Sequence, residues 1–197
     1  MLTGFEPFGA HRVNSSWEAV KIVAAANAAH VCAARLPVRH RLARARLVTL
    51  LAEHRPSICL LTGLAPGDAI RIERSARRPP ELHHIAGARR LAGHWPWTEL
   101  AKAAASAFPR VRFSDDAGRY VCESTYWSLL AYREQWGLPR DAAFVHLPPL
   151  SHRVGVLALA EVLNGILEAR LAGSGLTGAA TPRPPEATVA AAERRSP

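Results

Sequence analysis

The sequence predicts a single three-layer α/β domain over residues 1–171, and three observations predict it. Strand-like and helix-like patterns alternate along the chain. Ser57 to Thr62 is one continuous apolar run, of the length expected for a parallel strand buried on both faces. The 197 residues suffice for one well-buried core and are too few for two.

Met1 to Phe5 reads as the end of a first strand, running into the turn Glu6-Pro7-Phe8-Gly9. Ser15-Ser16-Trp17-Glu18 has capping-box spacing, with Ser15 as the expected N-cap and Glu18 three residues on. The helix it opens runs to about Ala28, with Trp17, Val20 and Ala24 on one face. A short strand over 31–38 is interrupted by Pro37, and a helix over 42–54 ends before Pro56. After the apolar strand, Gly63-Leu64-Ala65-Pro66-Gly67 is a loop at a strand C-terminus, where open α/β sheets place ligand sites.

Residues 69–73 alternate as a strand should, whereas 75–97 read as irregular and basic. A helix over 98–107, a strand over 111–113, a helix over 120–134, a strand over 142–147 and a helix over 154–171 complete the domain. From Ala172 the composition turns to Ala, Pro, Thr, Gly and Arg without aromatics. Such a segment buries too little apolar surface to offset its ordering entropy, so 172–197 is expected to be a disordered tail.

The bulk composition excludes several classes. No window approaches the roughly 18 to 20 uninterrupted apolar residues of a membrane helix. Met1-Leu2-Thr3-Gly4 lacks the basic and apolar regions of a signal peptide, so a cytoplasmic protein without membrane contact is expected. The formal charge of +9 raises nucleic acid as a partner, but the arginines are scattered. No aromatics interleave with a basic stripe, and nucleic-acid binding is not expected.

Three widely spaced cysteines form neither a C-x-x-C pair nor a Cys/His cluster, which argues against a disulfide scaffold and a structural metal. Cys32 and Cys59 sit in apolar runs and read as small buried hydrophobes. Cys122 differs. It follows Asp116-Ala117-Gly118-Arg119-Tyr120-Val121, a glycine turn opening a helix, where the positive end of the helix dipole favours a thiolate. Such a nucleophile needs a histidine to carry protons and a third polar group to hold the imidazole.

His146 closes the apolar strand Ala143-Phe144-Val145 just before Pro148-Pro149, and Glu73 ends the strand Ile70-Arg71-Ile72. Singly, a structural histidine and a carboxylate paired with Arg74 would be the commoner roles. Together, at the C-terminal ends of separate strands beside a helix-start cysteine, they form a Cys-His-Glu constellation.

Four separated segments resemble the signature blocks of the pyroglutamyl peptidase I (pyrrolidone-carboxylate peptidase) family of cysteine peptidases. They are Thr3-Gly4-Phe5-Glu6-Pro7-Phe8-Gly9 with Val13 to Val20, Gly63 to Gly67 leading to Ile72-Glu73-Arg74, Asp116 to Cys122 followed by Tyr126, and Phe144-Val145-His146-Leu147-Pro148. They stand in the family's order and span residues 1–170.

The resemblance implies an open, twisted, mostly parallel α/β/α sandwich. It also implies a cysteine omega-peptidase that removes N-terminal pyroglutamyl residues from peptides, with no metal or organic cofactor. Cys122 would be the nucleophile, His146 the acid/base and Glu73 its orienting carboxylate. Phe5 and Phe8 would line the lactam pocket, and the backbone around Leu64 and Val121 would supply polar contacts. Relatives often self-associate, so a homo-oligomer is compatible with it.

The chain also departs from the family's pattern. The segment Arg77 to Trp97 differs: Arg78 stands in an asparagine's place, and His83-His84 occupy the region of an arginine that helps the oxyanion site. Losing one such donor lowers turnover by about 10² to 10³. Ala10, Pro66 and Asp68 replace two glycines and an arginine. A second reading follows: a divergent, weakly catalytic or inactive member acting as a binding protein.

Overall fold

The computed structural model describes residues 1–84 and 87–173. Six strands form the main sheet: β1 (Leu2–Phe5), β2 (Ala33–Leu36), β3 (Ile58–Leu64), β4 (Ile70–Glu73), β7 (Val111–Ser114) and β8 (Asp141–Leu147). A short pair, β5 (Ser75–Arg77) and β6 (Arg90–Ala92), makes a second sheet. The helices are α1 (Ser15–Ala26), α2 (His40–His54), α3 (Trp97–Ala107), α4 (Val121–Trp136) and α5 (Val156–Gly173). The expected tail, 172–197, overlaps α5 by its first two residues and otherwise lies outside the described residues.

The strand order is β2-β1-β3-β8-β4-β7. All pairings are parallel except β4 against β8, so the expected mostly parallel sheet is present. Its centre is β3 and β8, each buried at all seven positions. That explains their continuous apolar sequence, because a strand covered on both faces has no side to give to water.

Alternation along these strands sorts the core into two layers. Ile58, Leu60, Ile70, Ile72, Val145 and Leu147 point to the side covered by α1, α3 and α5. Cys59, Leu61, Ala142 and Phe144 point to the other side, toward α2 and α4. Each fully buried Leu, Ile or Phe contributes about 1.5–3 kcal/mol of transfer free energy, so both faces are needed to hold the sheet between its helices.

Several local expectations shift. The N-cap of α1 is Asn14, not Ser15: Asn14 Oδ1 accepts from the Ser16 amide at 3.1 Å, and its Nδ2 donates to the Glu6 carbonyl at 3.0 Å. An asparagine both accepts and donates, so it caps the helix and ties down the preceding loop. Glu18 is left to pair with Lys21 at 2.7 Å. The buried face of α1 is Ala19, Val20 and Val23, with Trp17 and Ala24 at its margins.

Helix α2 begins at His40 and ends at His54, capped by Arg55, whose φ of 41° gives the left-handed turn before Pro56. The stretch 75–97 is not irregular throughout. β5 and β6 pair antiparallel with Arg77 opposite Arg90, and a 3-10 turn covers Pro80–Leu82. Too short to show a period of two, these strands were invisible to pattern. Among the described residues no helix is long and apolar enough to cross a membrane.

Candidate active site

Glu73 lies at the end of β4 and His146 near the end of β8, but the two strands run in opposite directions. Arg71 is in register with His146, and Glu73 with Phe144. The ends of the strands therefore do not share one rim. Glu73 instead lies beside the middle of β8, diagonal to His146 and on the same face of the sheet. His146 Nδ1 and Glu73 Oε1 are 2.7 Å apart, and the residues are only 3% and 1% exposed.

A carboxylate can only accept, so Nδ1 carries the proton of that bond and Nε2 is left as the basic nitrogen. The His146 ring packs on Phe144 with centroids 4.8 Å apart, and Phe144 in turn on Tyr126 at 5.6 Å. Tyr126 Oη donates to the Glu73 carbonyl at 3.1 Å. The imidazole is thus fixed by ring contacts on one side and a charge-assisted hydrogen bond on the other. Arg74 does not pair with Glu73; its guanidinium grips Asp115.

Cys122 is the second residue of α4. The turn before it needs Gly118, whose φ is +91°, and whose amide donates to Asp116 Oδ1 at 3.0 Å. Tyr120 at the N-cap gives no side-chain cap, leaving the first-turn amides unclaimed by it.

The sulfur and the imidazole meet over Gly63 of β3. A Cβ on Gly63 would lie 2.9 Å from Cys122 Sγ, 3.0 Å from Phe144 Cζ and 3.1 Å from His146 Cδ2. Sγ and Cδ2 can be no farther apart than the sum of their two distances to that point, and Cδ2 is bonded to Nε2. The sulfur and the imidazole are therefore neighbours across Gly63.

The expected thiolate is not the resting form. Burial, then the negative charge of Glu73, push the Cys122 thiol up to about 12, against smaller pulls from its own backbone amide and from Arg71. The residue keeps some exposed surface, but its sulfur is packed into the Gly63 contact. Desolvation outweighs the helix terminus, so the neutral thiol is the resting form of Cys122.

The other anticipated residues divide. Phe5 is 1% exposed at the end of β1, in the same core layer as Phe144 and Val121. Val121 opens α4, with its carbonyl taken by Ser124 Oγ at 3.0 Å and Thr125 Oγ1 at 2.5 Å. Leu64 ends β3 opposite Leu147. Phe8 stands apart, 38% exposed in the β1–α1 loop with its ring against His11. Cys59 is fully buried as expected, whereas Cys32 is only partly so.

Gly63, Arg71 and Tyr126 were not singled out as site residues, although all three touch this arrangement. Parity could have found Arg71, since positions two apart on a strand share a face. Among the described residues, no group of three or more His, Cys, Asp or Glu is placed to hold a metal ion.

The pyroglutamyl peptidase family model matches residues 1–158. The chain is 34% identical over 175 residues to a pyrrolidone-carboxylate peptidase of Pseudomonas fluorescens, covering 78% of this chain and 80% of that protein. It is 32% identical over 166 residues to the pyrrolidone-carboxylate peptidase of Thermococcus kodakarensis, covering 75% and 80%. Its fold matches the crystal structure of pyroglutamyl peptidase I from Bacillus amyloliquefaciens with a TM-score of 0.76 at 21% identity, over 85% of this chain and 92% of that one. Pyrrolidone carboxyl peptidase from Pyrococcus furiosus matches with a TM-score of 0.73 at 23% identity, over 87% and 97%. On the strength of the family match and these relatives, the chain belongs to the pyroglutamyl peptidase family of cysteine-type hydrolases.

Proposed function

We propose that the protein removes N-terminal pyroglutamyl residues from peptides, with Cys122 as nucleophile, His146 as proton carrier and Glu73 as the group that orients it. One observation carries this reading: the imidazole of a buried His146–Glu73 hydrogen bond of 2.7 Å and the Cys122 sulfur are neighbours across Gly63.

Because the resting thiol is neutral, the reaction begins with proton transfer. His146 Nε2 takes the Cys122 proton as the sulfur attacks the pyroglutamyl carbonyl carbon. Glu73 stabilises the imidazolium that forms, and the amides at the start of α4 support the developing oxyanion. The tetrahedral intermediate collapses to a thioester as the C–N bond breaks, and the imidazolium gives its proton to the departing amine. Water, deprotonated by His146, then hydrolyses the thioester. Pyroglutamate leaves and the thiol is restored.

The substrate suits an apolar pocket. A pyroglutamyl end is a neutral lactam, whereas an ordinary peptide N-terminus carries an ammonium that is costly to bury unpaired. Phe5 and Phe8 would contact the ring, with Phe8 swinging in from its loop, and the backbone near Leu64 and Val121 would reach the lactam amide.

A fluorogenic pyroglutamyl-aminomethylcoumarin substrate tests the reading. The wild-type protein should release the fluorophore, and Cys122→Ala should release none. A folded wild type without turnover, or a Cys122→Ala variant as active as its parent, would refute the proposal.

A further inference from the structure

Arg71 faces the same three side chains and has no part in the reading above. It sits on β4 directly across from His146 and two positions before Glu73, so all three side chains leave one face of the sheet. Its Nε is 4.0 Å from Glu73 Oε1, and its side chain is 34% exposed, at the open side of the cluster. Both Arg71 Nε and Glu73 Oε2 are buried without a hydrogen-bond partner among the described residues. A donor and an acceptor left unmatched in one buried cluster call for a reason.

The charges facing Cys122 supply one. From β4 come the Glu73 carboxylate and the Arg71 guanidinium, and from β8 the His146 imidazole. On α4 itself Glu123 is next in sequence and adds a smaller push against ionisation of the sulfur, although Arg77 of β5 pairs with it at 3.1 Å. From α2, His40 is engaged with Ser124 Oγ at 3.1 Å. Glu73 opposes ionisation of the sulfur, and Arg71 is the fixed cation placed to offset it.

We propose that Arg71 is a positioning residue of this site: its guanidinium holds the Glu73 carboxylate and supplies the positive charge that makes the Cys122 thiolate attainable. The inference rests on the peptidase reading for its catalytic consequence, but not for its electrostatic one. Arg71 contributes a pull on the thiol opposite in sign to that of Glu73. A nearby cation favours the deprotonated form of a thiol, so its removal raises the pKa of Cys122.

The test compares Arg71→Gln and Arg71→Lys with the wild type by two readouts. One is the pH profile of kcat/KM on a pyroglutamyl fluorogenic substrate. The other is the pH dependence of Cys122 alkylation by iodoacetamide, followed by mass spectrometry of its own peptide so that Cys32 and Cys59 do not interfere.

Arg71→Gln should lose about tenfold or more in kcat/KM near neutrality, the loss matching a shift of about one pKa unit. The limb of its profile that reports the thiol, and the alkylation midpoint, should move to higher pH. Arg71→Lys keeps the charge and should restore most of the wild-type profile.

An Arg71→Gln variant that loses activity with unmoved pH profiles would overturn the proposal, since that is what a structural role alone produces. So would unchanged kinetics and alkylation. If the wild type has no turnover at all, the peptidase reading fails on its own, and the alkylation midpoint still decides the role of Arg71.

Discussion

Gly63→Ala tests the convergence at the site with the smallest available change. The added methyl would stand 2.9 Å from Cys122 Sγ, 3.0 Å from Phe144 Cζ and 3.1 Å from His146 Cδ2, where ordinary contacts begin at 3.4 Å. Two of these neighbours cannot yield easily. Phe144 is fully buried, and His146 is held by Glu73 at 2.7 Å. The sulfur is the softest of the three, and rotation about the Cys122 Cα–Cβ bond carries it away from the imidazole by about half an ångström or more.

Overpacking of this kind costs about 1–3 kcal/mol, and in a domain of this size each kcal/mol lowers Tm by about 2–4 °C. Misplacing a reacting atom by about 1 Å costs on the order of 10² in rate, so kcat/KM should fall about 10- to 100-fold. Calorimetry and the fluorogenic assay together read both effects. Activity should suffer more than stability. A Gly63→Ala protein with wild-type kcat/KM would show that the sulfur and the imidazole do not work across Gly63, and the catalytic assignment would fall with it.

Glu73→Gln removes the charge that stabilises imidazolium and should lower kcat by roughly 10² to 10⁴, as loss of the orienting carboxylate does in such triads. Because Glu73 also raises the Cys122 pKa, the same variant should move the alkylation midpoint to lower pH, opposite to Arg71→Gln; an unmoved midpoint would contradict the electrostatic account. Burial pushes the Cys59 thiol up to about 12, while an unfolded thiol titrates near 8.5. The folded protein therefore retains a proton that the unfolded chain releases, and the stability this supplies, fully present below about pH 8.5, is lost as pH rises toward 12. Tm should be flat near neutrality and decline across that alkaline window, with a shallower decline in Cys59→Ala; parallel declines would exclude Cys59 as a cause.

Much of the candidate site was legible because its signals are local. A glycine turn opening a helix announces itself in Asp116 to Cys122, and a polar residue closing an apolar strand marks His146. The succession of strands and helices, the burial of β3 and β8 on both faces, and the ends of α2 at Pro56 and β2 at Pro37 follow from periodicity and backbone stereochemistry. These act over a few residues and can be read in order along the chain. The resemblance of four ordered blocks added the family, which the matched relatives bear out.

Tertiary structure decided how those pieces meet. The antiparallel placement of β4 against β8 depends on which edge of the sheet remains to be covered, not on the four residues of the strand. Yet it sets Glu73 diagonal to His146 and brings Arg71 across from it. The need for a bare Cα at Gly63 appears only when α4 lays Cys122 over β3, 59 positions away in sequence. The same packing reverses the expected acidity of Cys122. A helix terminus is a feature of local sequence, whereas desolvation and a neighbouring carboxylate are produced by chain segments folded together, and here they outweigh it.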